Sequence, residues 1–437
     1  MLNAQKLTIA VMVQVLMISA TYASEQSEAK GFVEDAQASV LFRNAWIYRD
    51  KKDPGKHNQS SWGQAAIANI DSGFTPGVVG FGLGLVGDFA FKIGDNKNSA
   101  SNMIPRHNAV DGKPGSPYNQ WGRGGANIKA RISNTTVRYG TQIVELPVLQ
   151  SNTSARLLPE YYTGTLLTSN EVEGLQVTAG HFTKNQQSDH IATDQGHLKR
   201  AVVYGAKYKF DDQLTASYYG ANLKDALDRH YVNLNYKYPL AQDDNLTLDV
   251  SGYHTKFKKD IYKKIEDAAS GEADTEKTNN IWAVSGQYDT GPHSVLVAYQ
   301  QNTGNVGFVY DVAGSGGSTM YLPNSYLSDF VGNGEKSVQA QYSVNFDKLG
   351  VPGLTWTTAY VYGWDINVQK GNRLITDDAR EREFFNQVKY TVQTGAAKDL
   401  SVKVRNSIYR SDKDYGATYI GSTDEWRIFV EYPWKLF

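Results

Sequence analysis

Cysteine is absent from the 437 residues, so neither disulfide staples nor thiolate zinc sites belong to this chain. One-sided charge is absent as well: 44 Lys and Arg meet 45 Asp and Glu, and the formal net charge of -1 offers no footing for a nucleic-acid partner. Beyond the N-terminus no apolar run reaches the roughly 18 residues that a membrane-spanning helix needs, which excludes a helical membrane bundle. The eight histidines, at 57, 107, 181, 190, 197, 230, 254 and 293, form no HxH or HExxH spacing, and no EF-hand loop occurs. Nothing in the order of residues arranges a Ser-His-acid set, so no catalysis, cofactor or bound metal is expected.

Aromatic residues and glycine are plentiful instead: 28 Tyr, 16 Phe, 8 Trp and 40 Gly stand in a chain whose mean hydropathy is only -0.47. Apolar residues alternate with polar ones. Between Ser337 and Phe346, Val338, Ala340, Tyr342, Val344 and Phe346 share one face, and Gln339, Gln341, Ser343 and Asn345 the other. The same period of two recurs in Leu234, Tyr236 and Tyr238, in Leu246, Leu248 and Val250, and in Leu354, Trp356, Thr358, Tyr360 and Tyr362. The chain ends on an aromatic strand, Val430-Glu431-Tyr432-Pro433-Trp434-Lys435-Leu436-Phe437. Such strands want lipid on one side and water on the other. Because hydrocarbon cannot hydrogen-bond a free sheet edge, they point to a closed transmembrane antiparallel β-barrel.

Lys6, the apolar run Leu7 to Ile18 and the small-residue stretch Ser19-Ala20-Thr21-Tyr22-Ala23 read as a secretion signal, too short to span a bilayer. Residues 1–23 are therefore expected to be removed, leaving 24–437 as one barrel domain. Tight turns at Asp71-Ser72-Gly73, Asp211-Asp212, Asp289-Thr290-Gly291-Pro292 and Lys348-Leu349-Gly350 alternate with long polar stretches at 95–126, 257–279, 302–335 and 366–381. Short periplasmic turns and long external loops give that rhythm. Counting gives eighteen candidate strands, among them 78–93, 127–132, 136–144, 336–346, 354–364, 382–393, 399–409 and 423–432. The parity changes between Ile132 and Val137, so Ser133-Asn134-Thr135 holds either a bulge or a turn, and a turn makes the count even. Eighteen strands enclose an aqueous lumen. The connection Val144 to Glu160 carries Pro147, Val148, Leu149, Leu157, Leu158 and Pro159, and is expected to fold into that lumen rather than onto the rim.

The segments FVEDAQASVLFRN at 32–44, SGFTPGVVGFGLG at 72–84, RISNTTVRYG at 131–140, LPVLQSNTSARLLPE at 146–160 and YLPNSYLSDFVGNGEKS at 321–337 resemble the OprD family of substrate-specific outer-membrane porins of Gram-negative bacteria, in that family's order. The resemblance runs from residue 32 to the C-terminus. It implies a monomeric channel whose third external loop narrows the pore. A ladder of basic side chains would lead small carboxylate-bearing solutes, such as amino acids, organic or aromatic acids and carbapenem antibiotics, past it. Outer-membrane lipid and lipopolysaccharide would surround the barrel. Tyr321, Asn324 and Ser325 match the family's second pore-narrowing loop. Ser315, Ser318 and Thr319 stand where many members place an aspartate, which favours anionic or neutral solutes over basic amino acids.

Parity alone places a set of cations on the lumen side: Arg43, Lys129, Arg131, Arg138, Lys389, Lys403, Arg405 and Arg427. In a narrow lumen with low-dielectric walls such charges focus a field on a passing anion, and guanidinium pairs with carboxylate in a fork. Each could equally be an ordinary lumen charge paired with an acid across the barrel. Arg156 lies on the inward loop, where Glu145 is placed to neutralise a neighbour. Strict alternation sets Phe437 on the parity of Arg427, which a bulge at Pro433 would correct. Two other readings remain open: an unselective diffusion porin, and an adhesin or structural barrel with a blocked lumen.

Overall fold

The computed structural model describes residues 24–96, 98, 103–108, 115–194, 198–241, 244–258, 277–310, 320–370 and 373–437. The expected signal segment 1–23 and the loop residues Ser315, Ser318 and Thr319 lie outside the described residues.

Eighteen strands form one antiparallel sheet. In chain order they are β1 Gln37–Lys51, β2 Gln59–Asp71, β3 Val79–Lys92, β4 Gln120–Ile132, β5 Thr135–Gln142 and β6 Tyr161–Val172. β7 Leu175–Gln186, β8 Ala201–Lys209, β9 Leu214–Leu223, β10 Leu227–Ala241, β11 Asp244–Phe257 and β12 Lys277–Thr290 follow. The last six are β13 His293–Gly304, β14 Lys336–Asn345, β15 Leu354–Lys370, β16 Arg373–Thr391, β17 Ser401–Ser411 and β18 Thr423–Lys435. Each strand pairs with its sequence neighbours, and β18 pairs back onto β1 from Lys435 opposite Ser39 to Thr423 opposite Lys51. No edge is left open, so every strand finds its backbone partners within the sheet.

The side-chain alternation now has two solvents. On β3, Phe81, Leu83, Leu85, Phe89 and Phe91 are exposed on the outer wall, while Asp88 and Ala90 on the other parity are buried. Large apolar side chains left outside a sheet are stable only against lipid. Connections at one end are short, such as Ser133-Asn134 between β4 and β5 or Gly291-Pro292 between β12 and β13. Those at the other end include the long segments 93–119, 143–160 and 305–335. The short end is periplasmic by the rule for such barrels. Ser133 sits at φ 52°, the left-handed geometry of a two-residue hairpin, so the parity change at 133–135 is a turn and not a bulge.

Three expectations need correction. β4 starts at Gln120, not 127, because Gly122, Gly124 and Gly125 carry no side chain to show an alternation. The stretch 366–381 is not a loop: β15 and β16 run through it to a connection at 371–372, with pairing irregularities between Gly363 and Gln369. There the hairpin rises past the lipid, where polar residues are welcome on both faces. Pro433 marks no bulge either, since it sits opposite Leu41 in an unbroken register. Phe437 lies beyond the end of β18 and lines an apolar groove on the outer wall with Phe32, Ile70, Leu83 and Ile128.

The connection 143–160 crosses the lumen. At one end Val144, Val148 and Leu149 are buried with Tyr162, Phe182, Tyr219, Tyr231 and Tyr253 of β6, β7, β9, β10 and β11. At the other, Leu157 and Leu158 are buried with Ala45, Ile47, Ala65, Ala90 and Phe429 of β1, β2, β3 and β18. These are opposite walls of an eighteen-strand ring, so the loop narrows the pore from side to side. Gly63 makes room for it, because a Cβ there would lie 2.5 Å from Leu157 Cδ2.

Gly140 (φ 130°) combines a backbone geometry foreign to L-residues with a Cβ position 2.3 Å from the Ala126 carbonyl oxygen. Gly140→Ala is expected to cost about 1–3 kcal/mol of barrel stability in denaturant unfolding from a bilayer. Gly291→Ala, at φ 53° with nothing within 4 Å, should cost no more than about 1–2 kcal/mol.

Candidate functional site

Two loops that reach into the lumen touch one another. Glu145-Leu146 and Leu149-Gln150 form a two-residue-per-strand ribbon in the first loop. From the second, Tyr321 donates its hydroxyl to Gln150 Oε1 at 3.0 Å. Tyr253 on β11 binds both, giving its hydroxyl proton to the Pro147 carbonyl at 3.2 Å and accepting from the Tyr321 backbone N–H at 3.1 Å. Burial first, and the Glu145 charge next, push the Tyr321 hydroxyl pKa up.

The second loop is pinned to the wall by side chains of the strands behind it. Gln300 on β13 donates to the carbonyls of Asp329 and Phe330 at 3.0 and 2.9 Å, and Asn302 to that of Phe330 at 3.1 Å. Asn324 donates to Ser337 Oγ at 2.9 Å, and Ser325 donates to Asp329. The Glu383 carboxylate on β16 accepts from the backbone N–H groups of Leu327 and Ser328 at 3.0 and 2.9 Å. Backbone buried inside a barrel needs such partners because it has no ladder of its own.

On the wall made by β16, β17, β18 and β1, cations stand opposite one another. Gln387 faces Arg405, Arg405 faces Arg427, and Arg427 faces Ile47. One step toward the periplasm Lys389 faces Lys403, and Lys403 faces Phe429. Arg405 stacks 5.0 Å from the Phe385 ring and Lys403 4.7 Å from that of Phe429. Among the described residues none of Arg405, Lys403 and Lys389 has an ion-pair partner. Arg427 is held by Glu425, which also takes Arg49 at 2.6 Å. Arg156, on the crossing loop, is buried in the field of Arg427 and Arg49.

The other expected cations reach inward too, each with a definite partner. Arg43 pairs with Glu431 at 2.6 Å and donates to the Arg156 carbonyl at 3.0 Å, so it secures the crossing loop. Lys129 and Arg138 share Asp71 at 2.7 and 3.0 Å near the periplasmic turns. Arg131 lies 3.5 Å from Glu25 and donates to Gln26 Oε1 at 3.1 Å, with Phe74 4.1 Å from its guanidinium. Gly82 is bare beneath this group, since a Cβ there would meet Lys129 Cε at 2.5 Å. On the wall nine strands away from β1, Asn233 and Asn235 both donate to Asp249 Oδ2, at 2.8 and 2.9 Å.

The family model for outer membrane porins of the OprD family matches residues 30–436. The chain belongs to the OprD family. This porin is 36% identical to Porin D of Pseudomonas aeruginosa, over 96% of this chain and 95% of that protein. Its fold superposes on the crystal structure of Acinetobacter baumannii OccAB1 with a TM-score of 0.87 and 59% identity, covering 95% of this chain and all of that one. It also superposes on Pseudomonas aeruginosa OpdK with vanillate, with a TM-score of 0.79 and 25% identity over 93% and 100% of the two chains. It is thus an outer-membrane channel, not an enzyme.

Four residues that shape this porin's lumen escaped the reading of the sequence. Half-buried Arg49 pairs with buried Glu425 beside Arg427, Glu383 carries the second loop, and Arg123 closes a fork on Asp88 while donating to the Pro159 carbonyl at 2.6 Å. All lie on the inward parity of their strands, the one signal that could have found them. Glu383→Ala removes the acceptor of two backbone N–H groups, a local loss of about 3 kcal/mol. The expected result is faster amide exchange over 320–335 and a larger, noisier single-channel conductance.

Proposed function

We propose that this porin is a substrate-specific channel, acting as a monomer, for passive uptake of small water-soluble nutrients bearing a carboxylate. The observation that carries the reading is the like-charge pairing of Arg405 with Arg427 and of Lys389 with Lys403 on one wall. Like charges directly opposite in a sheet destabilise it, so this juxtaposition costs the fold stability. A passing carboxylate gains several handholds, with the guanidinium pair offering fork geometry and the ammonium pair a second rung below. Arg43, Lys129, Arg131 and Arg138 extend the positive field toward the periplasmic mouth even though acids partner them, and Arg156 extends it from the crossing loop.

The opposite wall, with Asn233, Asn235 and Asp249, supplies hydrogen bonds for the polar remainder of a solute. Tyr321 and Glu145 border the same passage. With Ser315, Ser318 and Thr319 where relatives place an acid, the channel favours anionic or neutral solutes over basic amino acids. The solved relative that carries vanillate, a carboxylate, agrees with that chemistry.

The test is solute block in a planar bilayer at low salt. Small carboxylates should block the current saturably, and Arg405→Ala or Lys389→Ala should raise the half-blocking concentration about tenfold, equivalent to about 1.4 kcal/mol per lost handhold. Large conductance indifferent to solute and to both substitutions would make the protein a general diffusion porin. Absence of flux would make it a structural barrel.

A further inference from the structure

Two buried carboxyl groups behind the second loop have no part in solute transport as proposed above. Glu335 closes that loop just ahead of β14, and Glu381 lies on β16, where the hairpin with β15 has risen past the lipid. The two residues are 0% and 1% exposed. Gly363 on β15 sits directly opposite Glu381, and a Cβ there would lie 2.1 Å from Glu335 Oε1. The bare glycine thus lets Glu335 lie beside Glu381, and the two carboxyl groups meet. Among the described residues no Lys or Arg pairs with either acid. The flanking cations Lys336, Arg380 and Arg382 stand on the opposite parity of their strands, where Lys336 binds Asp365 at 2.9 Å. The other titratable groups around the pair are Asp329, Glu383, Tyr409, Tyr415 and Tyr419, which bring no positive charge.

Each acid accepts one hydrogen bond, Glu335 Oε2 from the Gly332 N–H and Glu381 Oε2 from Ser328 Oγ, both at 2.7 Å. Their remaining oxygens, Glu335 Oε1 and Glu381 Oε1, are buried without a partner. Two carboxylates at such burial, with no counter-charge, cannot both stay ionised. A proton between them supplies the donor that the orphaned oxygens lack.

The pair grips a strained piece of loop. Ser328 is its node: Oγ donates to Glu381 and accepts from the Phe330 N–H at 3.2 Å, while its own N–H donates to Glu383 at 2.9 Å. Phe330 is wholly buried at φ 53°, a left-handed geometry that a bulky residue keeps only where its surroundings impose it.

We infer that Glu335 and Glu381 hold a single proton between them and act as positioning residues that clamp the second loop inside the lumen. Burial first, and the charge of Glu381 next, push the Glu335 carboxyl well above its ordinary value of 4.5, and burial pushes Glu381 up as well. The folded pair therefore binds its proton more tightly than a free carboxyl does. The clamp is strongest below about pH 4.5 and is lost as the pH rises through the raised value. Burial also pushes the hydroxyls of Tyr415 and Tyr419 up, so they stay neutral. The clamp acts on the loop itself, whatever solute the pore selects.

The test is single-channel recording of the folded porin from about pH 4.5 to about pH 9, in about 1 M salt to screen other charges. Wild type should show a small, quiet conductance at the acid end and a larger one, with at least about tenfold more current noise, at the alkaline end. Glu381→Gln offers Glu335 an amide N–H in place of the proton, and Glu335→Gln does the reverse, so each variant should keep the acid-end behaviour at every pH. Amide exchange over 327–335, corrected for base catalysis, should speed up at least about tenfold with pH in wild type and in neither variant. Wild-type conductance and exchange that ignore pH, or a pH dependence that persists in either glutamine variant, would overturn the assignment. If one variant does not fold, the other carries the test.

Discussion

Everything in this molecule depends on the pairing of β18 with β1. It joins the two ends of a chain of more than four hundred residues and leaves the sheet without an edge in a medium that cannot hydrogen-bond one. Once the ring is closed, side-chain parity is no longer a local matter. A residue's place in the period of two decides between lipid and lumen, and a slip by one would exchange the two sets at once. The cations at 389, 403, 405 and 427 are brought together by that rule across three neighbouring strands, not by any contact among themselves.

A ring of eighteen strands is too wide to discriminate small solutes, so the selective part must come from loops. These loops lie where no sheet can pair their backbone. The barrel answers with side chains: amides from β13, a carboxylate from β16, Arg43 from β1 and Arg123 from β4 each hold a loop carbonyl or N–H. Much of the lumen's polarity is therefore structural. That is why partnered inward cations and unpartnered ones must be distinguished before a transport role is assigned to any of them.

Alternation and turn residues were enough to place eighteen strands and the inward loop. Partners were not legible, because Arg43 meets a glutamate 388 residues away and Arg131 meets Glu25 from a segment outside the sheet. Strand ends blurred where glycine removed the signal, as in β4, or where polar residues surround a hairpin that has left the lipid, as in β15 and β16. Relatives with known structures confirm the barrel and its family, while the solute belongs to details that lie below such likeness.

The proposed selectivity rests on an unbalanced positive wall along β16 to β18 that governs what passes. It is tested most directly by the reversal potential of single channels across a salt gradient, measured from low to high ionic strength. The prediction is a preference for anions that is strongest when the screening length exceeds the spacing of the cations, and that fades as the length falls below about 10 Å. Cation preference, or no preference at low salt, would contradict it.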